Sequence, residues 1–308
     1  MEKIGFQVGV EEKIDMLCKI FPDLIKNRWK ERIMYNSQKI AAYEGSSEVT
    51  EDILWRSVYE VLPGGYEPLI LQIKSPAKVK EYVQASRNME DMEPGTEPLT
   101  IERWSEGAAD SSPLISGKKI LAVCSSARKG GNTDAVVDEV LRACADNGAV
   151  IEKFYLSDMD IKPCNGCRAC RKIDVKTVCA IKDDMTSFFD KLYDTDGFVA
   201  GFPIYTSREN AIMANFMDRW DSFSNPHLSR GMPSIKKGII ICTWMWATPG
   251  SYDDVVEKMV MLMKLHGVQI TDVLTVSGTL GKKHGKGVVK NHPELLKTAY
   301  RAGIDLLK

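Results

Sequence analysis

The chain has 308 residues, 41 Lys/Arg against 42 Asp/Glu for a formal charge of −1, and 44% hydrophobic side chains. That length admits two domains, the apolar fraction suits an ordinary globular core, and the near-neutral charge implies no polyanion partner overall. No apolar run approaches the ~20 residues that span a bilayer, and Met1-Glu-Lys-Ile-Gly begins no signal-peptide core, so a cytoplasmic location is expected.

Residues 1–87 read as a small, mostly helical domain. Apolar residues recur at three- and four-residue spacing over Glu11–Cys18 and again over Ile25–Tyr43, where Ile25, Trp29, Ile33 and Ile40 share a face. Gly45-Ser46-Ser47 interrupts the run, Thr50 is placed to cap a third helix through Leu54, Trp55 and Val58, and Pro63-Gly64-Gly65 ends it. A shorter amphipathic piece is expected over Ala77–Asn88. Residues 88–117 are rich in Glu, Pro, Gly and Ser, the composition of a linker or extended arm.

The character changes at Lys118. Short apolar runs at Lys119–Cys124, Val150–Tyr155, Gly197–Gly201, Gly238–Cys242 and Ile270–Val276 predict five strands. Helical stretches at Thr133–Asn147, Asp184–Tyr193, Glu209–Phe223, Tyr252–His266 and Pro293–Leu307 alternate with them, the pattern of an α/β domain with a parallel sheet covered on both faces. Charge divides along the same boundary: residues 1–117 carry 14 Lys/Arg and 20 Asp/Glu, residues 118–308 carry 27 and 22. An acidic front and a basic back fit docking between the halves, a basic surface for a phosphorylated cofactor, or two unrelated solvated surfaces.

Four of the eight cysteines fall in one stretch, within a loop over 163–180: Cys164, Cys167 and Cys170 at two-residue gaps, then Cys179 after a gap of eight residues. A compact run with a more distant fourth cysteine has the spacing logic of iron–sulfur ligation, and zinc accepts the same four sulfurs. The alternative is ordinary buried or disulfide-bonded cysteines. Cys18, Cys124, Cys144 and Cys242 sit in or beside apolar elements and read as packing residues.

Ser125-Ser-Ala-Arg-Lys-Gly-Gly-Asn-Thr133 joins the first predicted strand of this domain to its first helix. Its hydroxyls, glycines and helix-start N–H groups would make a nest for a phosphate, at the strand end where open α/β sheets bind ligands; a simple tight turn is the other reading. It lacks both the P-loop ending and the Gly-x-Gly-x-x-Gly fingerprint. No serine triad, zinc-protease motif or paired-carboxylate site appears, and Asp183, Asp184, Asp218 and Arg219 read as capping or pairing helix ends.

This loop resembles the phosphate loop of flavodoxin-like NADPH-dependent FMN reductases, with Ser125 and Ala127 in place of that family's Gly and Pro. Gly201-Phe-Pro-Ile-Tyr205 is similar to the family's ring-flanking loop, and Asn215-Phe-Met-Asp-Arg-Trp220 to its following helix. The cysteine run, followed by Ile181-Lys-Asp-Asp-Met185, resembles the iron–sulfur flavoprotein branch, although the gap of eight residues before Cys179 exceeds the family's usual four to seven. The likeness covers about residues 118–308 and implies a flavodoxin-like, doubly wound, five-stranded parallel sheet behind the helical domain. It implies that Ser125, Ser126, Arg128, Gly131, Asn132 and Thr133 hold the FMN phosphate. Pro203, Ile204 and Tyr205 would flank the flavin ring, Thr243, Trp244 and Gly250 would complete the pocket, and Cys164, Cys167, Cys170 and Cys179 would ligate a [4Fe–4S] cluster. Trp244 and Trp246 either stack on the flavin or pack the domain edge, and Tyr205 is either a ring contact or a core aromatic.

The implied function is electron transfer between a ferredoxin-type protein or NAD(P)H and an acceptor, through FMN and the cluster, in a homodimer or homotetramer. Arg168, Arg171, Lys172 and Lys176 would draw an acidic donor, or form a solvated loop. The basic Gly281–Gly287 run would hold an NADPH phosphate or simply be solvated. The helical front would clamp a neighbouring subunit, dock a redox partner or cap the flavin pocket. Two rivals stay open: a cluster-free NAD(P)H-dependent FMN or quinone reductase, and a non-enzymatic redox or metal sensor.

Overall fold

The computed structural model describes residues 4–62, 70, 73–74, 99–105, 113–171, 179–223, 236–245, 249–279 and 286–308. The chain divides into two units, Met1–Asn88 and Met89–Lys308, each built round its own core.

The first unit holds β1 (Gly5–Phe6), α1 (Val10–Cys18), α2 (Lys26–Tyr43), β2 (Glu48–Val49) and α3 (Glu51–Val61). The three helices start and stop within a residue or two of the sequence expectation, because their apolar stripes fix which face is buried. Ile14, Leu17, Ile33, Leu54 and Val58 are the fully buried centre. Thr50 caps α3 as expected, its hydroxyl accepting the Ile53 N–H at 3.4 Å. The two-residue parallel pair β1–β2 is too short to leave a periodic signal. The helix expected over 77–88 lies outside the described residues.

The second unit runs β3 (Thr100–Ser105), β4 (Lys119–Cys124), α4 (Asn132–Asp146), β5 (Val150–Tyr155), α5 (Met185–Tyr193), β6 (Gly197–Tyr205), β7 (Arg208–Glu209), α6 (Ala211–Asp218), β8 (Lys236–Thr243), α7 (Asp253–Leu265), β9 (Val268–Ser277) and α8 (Pro293–Leu306). Five strands pair in parallel in the order β5-β4-β6-β8-β9. That is the flavodoxin-like order, with its switch point between the carboxyl ends of β4 and β6. Side chains alternate faithfully across the sheet. Leu121, Val123, Phe198, Ala200, Ile240 and Cys242 pack with α5, α6 and α7, while Ile120, Ala122, Val199, Ile239 and Ile241 pack with α4 and α8. Burial on both faces is why these strands read as continuous apolar runs. Gly201 lets α4 press on β6, since a Cβ there would lie 2.4 Å from a Val137 methyl carbon.

Two features differ from expectation. The segment read as a linker or arm contributes β3, which pairs antiparallel with β9 from Thr100↔Ser277 to Ser105↔Asp272. Its Ile-Glu-Arg-Trp core carries adjacent charges and sits in Pro- and Glu-rich surroundings, so no strand period shows. Second, β6 runs to Tyr205 and turns back through Thr206 and Ser207, both at positive φ (48° and 63°), to pair with β7. Neither is glycine or asparagine, so sequence gave no turn signal. Among the described residues no helix is long and apolar enough to cross a membrane.

Arg103 fastens the edge strand. Its guanidinium donates to Asp272 at 2.7 Å and to Asp305 on α8 at 2.6 Å, and the three side chains are only 16%, 3% and 12% exposed. Arg103→Met should therefore strand a buried carboxylate and cost about 3–5 kcal/mol in urea unfolding; a loss below about 1 kcal/mol would show that β3 is held by its ladder alone.

Candidate functional site

The β4–α4 loop lies at the switch point. Ser125, Ser126, Thr133 and Gly131 are buried, and no side chain caps the start of α4, which leaves helix-start N–H groups for an anion. Ser125 is fixed from three directions: its N–H donates to Gly201 O at 2.9 Å, its hydroxyl donates to Asn210 Oδ1 at 2.7 Å, and its carbonyl accepts from Asn210 Nδ2 at 2.7 Å. The Thr133 and Thr243 hydroxyls share a hydrogen bond of 2.7 Å, Asn132 Oδ1 accepts the Val289 N–H at 3.1 Å, and the Arg128 N–H donates to Ser126 Oγ at 3.2 Å. The structure thus brings Ser125, Ser126, Arg128, Gly131, Asn132, Thr133 and Thr243 into one constellation across the carboxyl ends of β4, β6 and β8.

Sequence reading missed several residues around this loop. Gly130 has φ 72°, and a side chain there would begin 3.6 Å from the Lys290 ammonium, which adds a cation beside the exposed Arg128. The Gly130 N–H donates to Asp134 Oδ2 at 2.5 Å. Asp134 also pairs with Lys153 and accepts from the Tyr155 hydroxyl. Burial pushes the Asp134 carboxyl up, but Lys153 and the Gly130 N–H outweigh that and hold it below the usual carboxylate range. Asp134 therefore stays ionised, paired with Lys153, and fixes the loop through the Gly130 N–H. Hydroxyls, uncapped helix N–H groups and two nearby cations fit a phosphate monoester.

The remaining predicted pocket residues are spread along the same edge. Pro203 is buried, Ile204 half-buried and Tyr205 44% exposed, which removes Tyr205 from the core. The Trp244 indole is buried edge-on against Tyr252, ring centres 5.4 Å apart, so this ring packs the domain edge. Gly250 is exposed in the turn before α7. Trp246 lies outside the described residues, as do residues 281–285 of the basic run and both Lys172 and Lys176.

The cysteine loop is closed at its base by two aspartates. Asp184 Oδ2 accepts the Asp160 N–H at 2.7 Å and Asp183 Oδ2 the Lys162 N–H at 2.9 Å, so the chain leaving at 160–162 is tied to the chain returning at 183–184. This return sets Cys179 beside the earlier three: Cys164, Cys167, Cys170 and Cys179 line one recess of about 50 Å³ with Ile181, Asp218, Arg219 and Asp221. All four thiols are free. Among the described residues no three His, Cys, Asp or Glu side chains converge to hold a single ion. An all-sulfur donor set is the chemistry that iron–sulfur ligation uses. Arg219 and Asp183 form a wholly buried ion pair beside the recess. Burial raises the Asp183 carboxyl, and Arg219 with the Lys162 N–H more than reverses this.

Residues 118–269 match the family model described as NADPH-dependent FMN reductase. Over 101 residues the chain is 34% identical to an iron–sulfur flavoprotein of Methanocaldococcus jannaschii, covering 33% of this chain and 51% of that protein. Over 150 residues it is 26% identical to an iron–sulfur flavoprotein of Archaeoglobus fulgidus, covering 49% and 64%. The chain thus spans about half to two thirds of the length of these relatives. The NAD(P)H:quinone oxidoreductase from Methanothermobacter marburgensis superposes with a TM-score of 0.50 at 15% identity, over 62% of this chain and 98% of that one, a likeness of fold. The second unit is a flavodoxin-like α/β domain. Over residues 118–269 it is similar to the NADPH-dependent FMN reductase family, and over 101–150 residues to iron–sulfur flavoproteins.

Asp253, at the start of α7 near Gly250, has one buried carboxylate oxygen without a partner among the described residues. Burial, with Glu102, Glu257 and Asp254 nearby, pushes its carboxyl up to about 6. Between about pH 4 and 6 the folded chain therefore holds a proton the unfolded chain has released, and stability falls as pH rises through that window. Asp253→Asn should stabilise the protein by about 1–2 kcal/mol at pH 7 and by nothing at pH 3; equal effects at both values would contradict this.

Proposed function

We propose that this protein is an FMN-dependent oxidoreductase that passes electrons between NAD(P)H or a ferredoxin-type donor and an acceptor, through FMN at the β4–α4 loop and a [4Fe–4S] cluster at Cys164, Cys167, Cys170 and Cys179. The reading is carried by one observation: the phosphate-type cradle and the recess of four free thiols are held at the two ends of α6. Asn210, its N-cap, binds Ser125, and Arg219, its C-cap, donates to Cys179 Sγ at 3.4 Å.

When bound, FMN exchanges electrons singly or in pairs and a cluster exchanges them singly, so the two together couple different carriers. The protein's own contribution is placement. Ser125, Ser126, Thr133 and the helix-start N–H groups fix the phosphate end, with Arg128 and Lys290 supplying charge. Pro203, Ile204 and Tyr205 are placed along the sheet edge where the ring would lie. Arg168 is exposed beside the recess, available to an acidic partner, while Asp218 and Asp221 on its rim temper that attraction. A homodimer or homotetramer is part of the proposal.

The family model alone is equally compatible with a cluster-free FMN or quinone reductase, and composition separates the two. Protein purified without air should be brown, with about four irons and matching sulfide per chain; zinc, or no metal, would sink the cluster. Cys164→Ala should lower iron and sulfide and the absorption beyond the flavin band while FMN stays bound. The phosphate site has its own check. Arg128→Ala should weaken FMN by about tenfold and leave riboflavin unchanged; an equal loss for both would place the phosphate elsewhere.

A further inference from the structure

Arg219 is 3% exposed, and its donors are almost all committed. Nη1 donates to Lys162 O at 2.7 Å and to Asp183 Oδ2. Nη2 donates to Asp183 Oδ1 at 3.2 Å and to Cys179 Sγ at 3.4 Å. Nε has no partner among the described residues. A buried guanidinium needs a carboxylate, and Asp183 provides it. Nothing in that requirement calls for a sulfur on the other side. Asp183 is itself fixed by the Lys162 and Met185 N–H groups, the latter at 3.1 Å, so the planar fork cannot swing away from Cys179.

We propose that Arg219 is a positioning residue for the sulfur centre: it holds Cys179 on the recess as the fourth ligand and keeps a fixed positive charge and an N–H donor against that sulfur. Donors to ligand sulfurs and nearby positive charge favour the more reduced, more negative state of a cluster, which raises its potential. The bidentate grip is specific to arginine. A lysine ammonium carries its three N–H donors on one nitrogen, so it can satisfy Asp183 but does not span to Cys179 as the planar fork does. The long gap before Cys179 gives this grip a purpose, since a ligand set nine residues beyond Cys170 needs something other than loop length to seat it.

The inference rests on the cluster reading above, and the test separates the two. Arg219→Lys and Arg219→Gln are prepared without air beside the wild type, with folding followed by circular dichroism; the first keeps a charge, the second keeps a donor. Each protein is assayed for iron, for the rate of iron loss to a chelator, and for the midpoint potentials of cluster and flavin. In the folded variants iron should leave about tenfold faster, as for other residues that orient metal ligands. The cluster midpoint should move to more negative values while the flavin midpoint stays. A merely structural ion pair would be restored by Arg219→Lys in every readout, and that result would overturn the inference while leaving the cluster intact. Wild-type protein lacking iron would instead sink the cluster reading, and this inference with it.

Discussion

An eight-residue helix sets the spacing on which the whole arrangement depends. At 1.5 Å per residue α6 is about 12 Å long, and each of its ends is a hydrogen-bonded joint. At the start, Asn210 caps the helix by accepting from Met213 N–H and also exchanges two bonds with Ser125. At the end, Arg219 closes the helix and grips Asp183. Midway, Asn215 donates to Ile161 O at 2.7 Å, pinning the root of the cysteine loop to the same rod. The buried face of the rod, Met213, Phe216 and Met217, packs into the aromatic cluster of Phe188, Phe198 and Trp220. A rigid short element between two candidate cofactor sites makes their separation a property of the core rather than of loops.

The centre of the sheet was legible because β4, β6 and β8 are buried on both faces, whereas β5 is an exposed to half-buried edge strand marked by its flanking Gly148. Lys119–Cys124 and Val150–Tyr155 were bounded to the residue by apolar runs between Gly or charged breaks. Thr100–Ser105 was not, since an edge strand needs apolar contact on one side only and here spends Arg103 on two carboxylates. The candidate sites divide in the same way. Spacing along the chain pointed to the four cysteines and the Ser-Gly loop. It could not point to Asn210, Lys153, Lys290 or the contact of Arg219 with Cys179, because each acts across tens of residues of sequence. Asp183 and Arg219 were read as pairing helix ends, a description their geometry satisfies and then exceeds.

Much of the charge in each unit is paired within that unit. Many of the basic residues of the second unit face carboxylates of the same unit: Lys119 with Asp194, Lys129 with Asp158, Lys153 with Asp134 and Asp138, Lys191 with Glu152. In the first unit Lys13, Lys30 and Arg56 do likewise with Glu51, Asp15 and Glu44. Most of these pairs are exposed and individually worth little. Their effect is to spend charge inside each unit, so the balance of a half says less about its surface than the few cations set beside a cradle or a recess.

The other four cysteines are chemically quiet. Burial pushes the Cys124 thiol up to about 11 and Cys144 to about 12, and raises Cys18 and Cys242 as well. Thiolate, not thiol, is the reactive form, so oxidants and alkylating reagents meet a scaffold whose sulfurs stay protonated and out of reach. The thiols within a reagent's reach are those of the recess, Cys164 and Cys167 exposed and Cys170 and Cys179 half-buried.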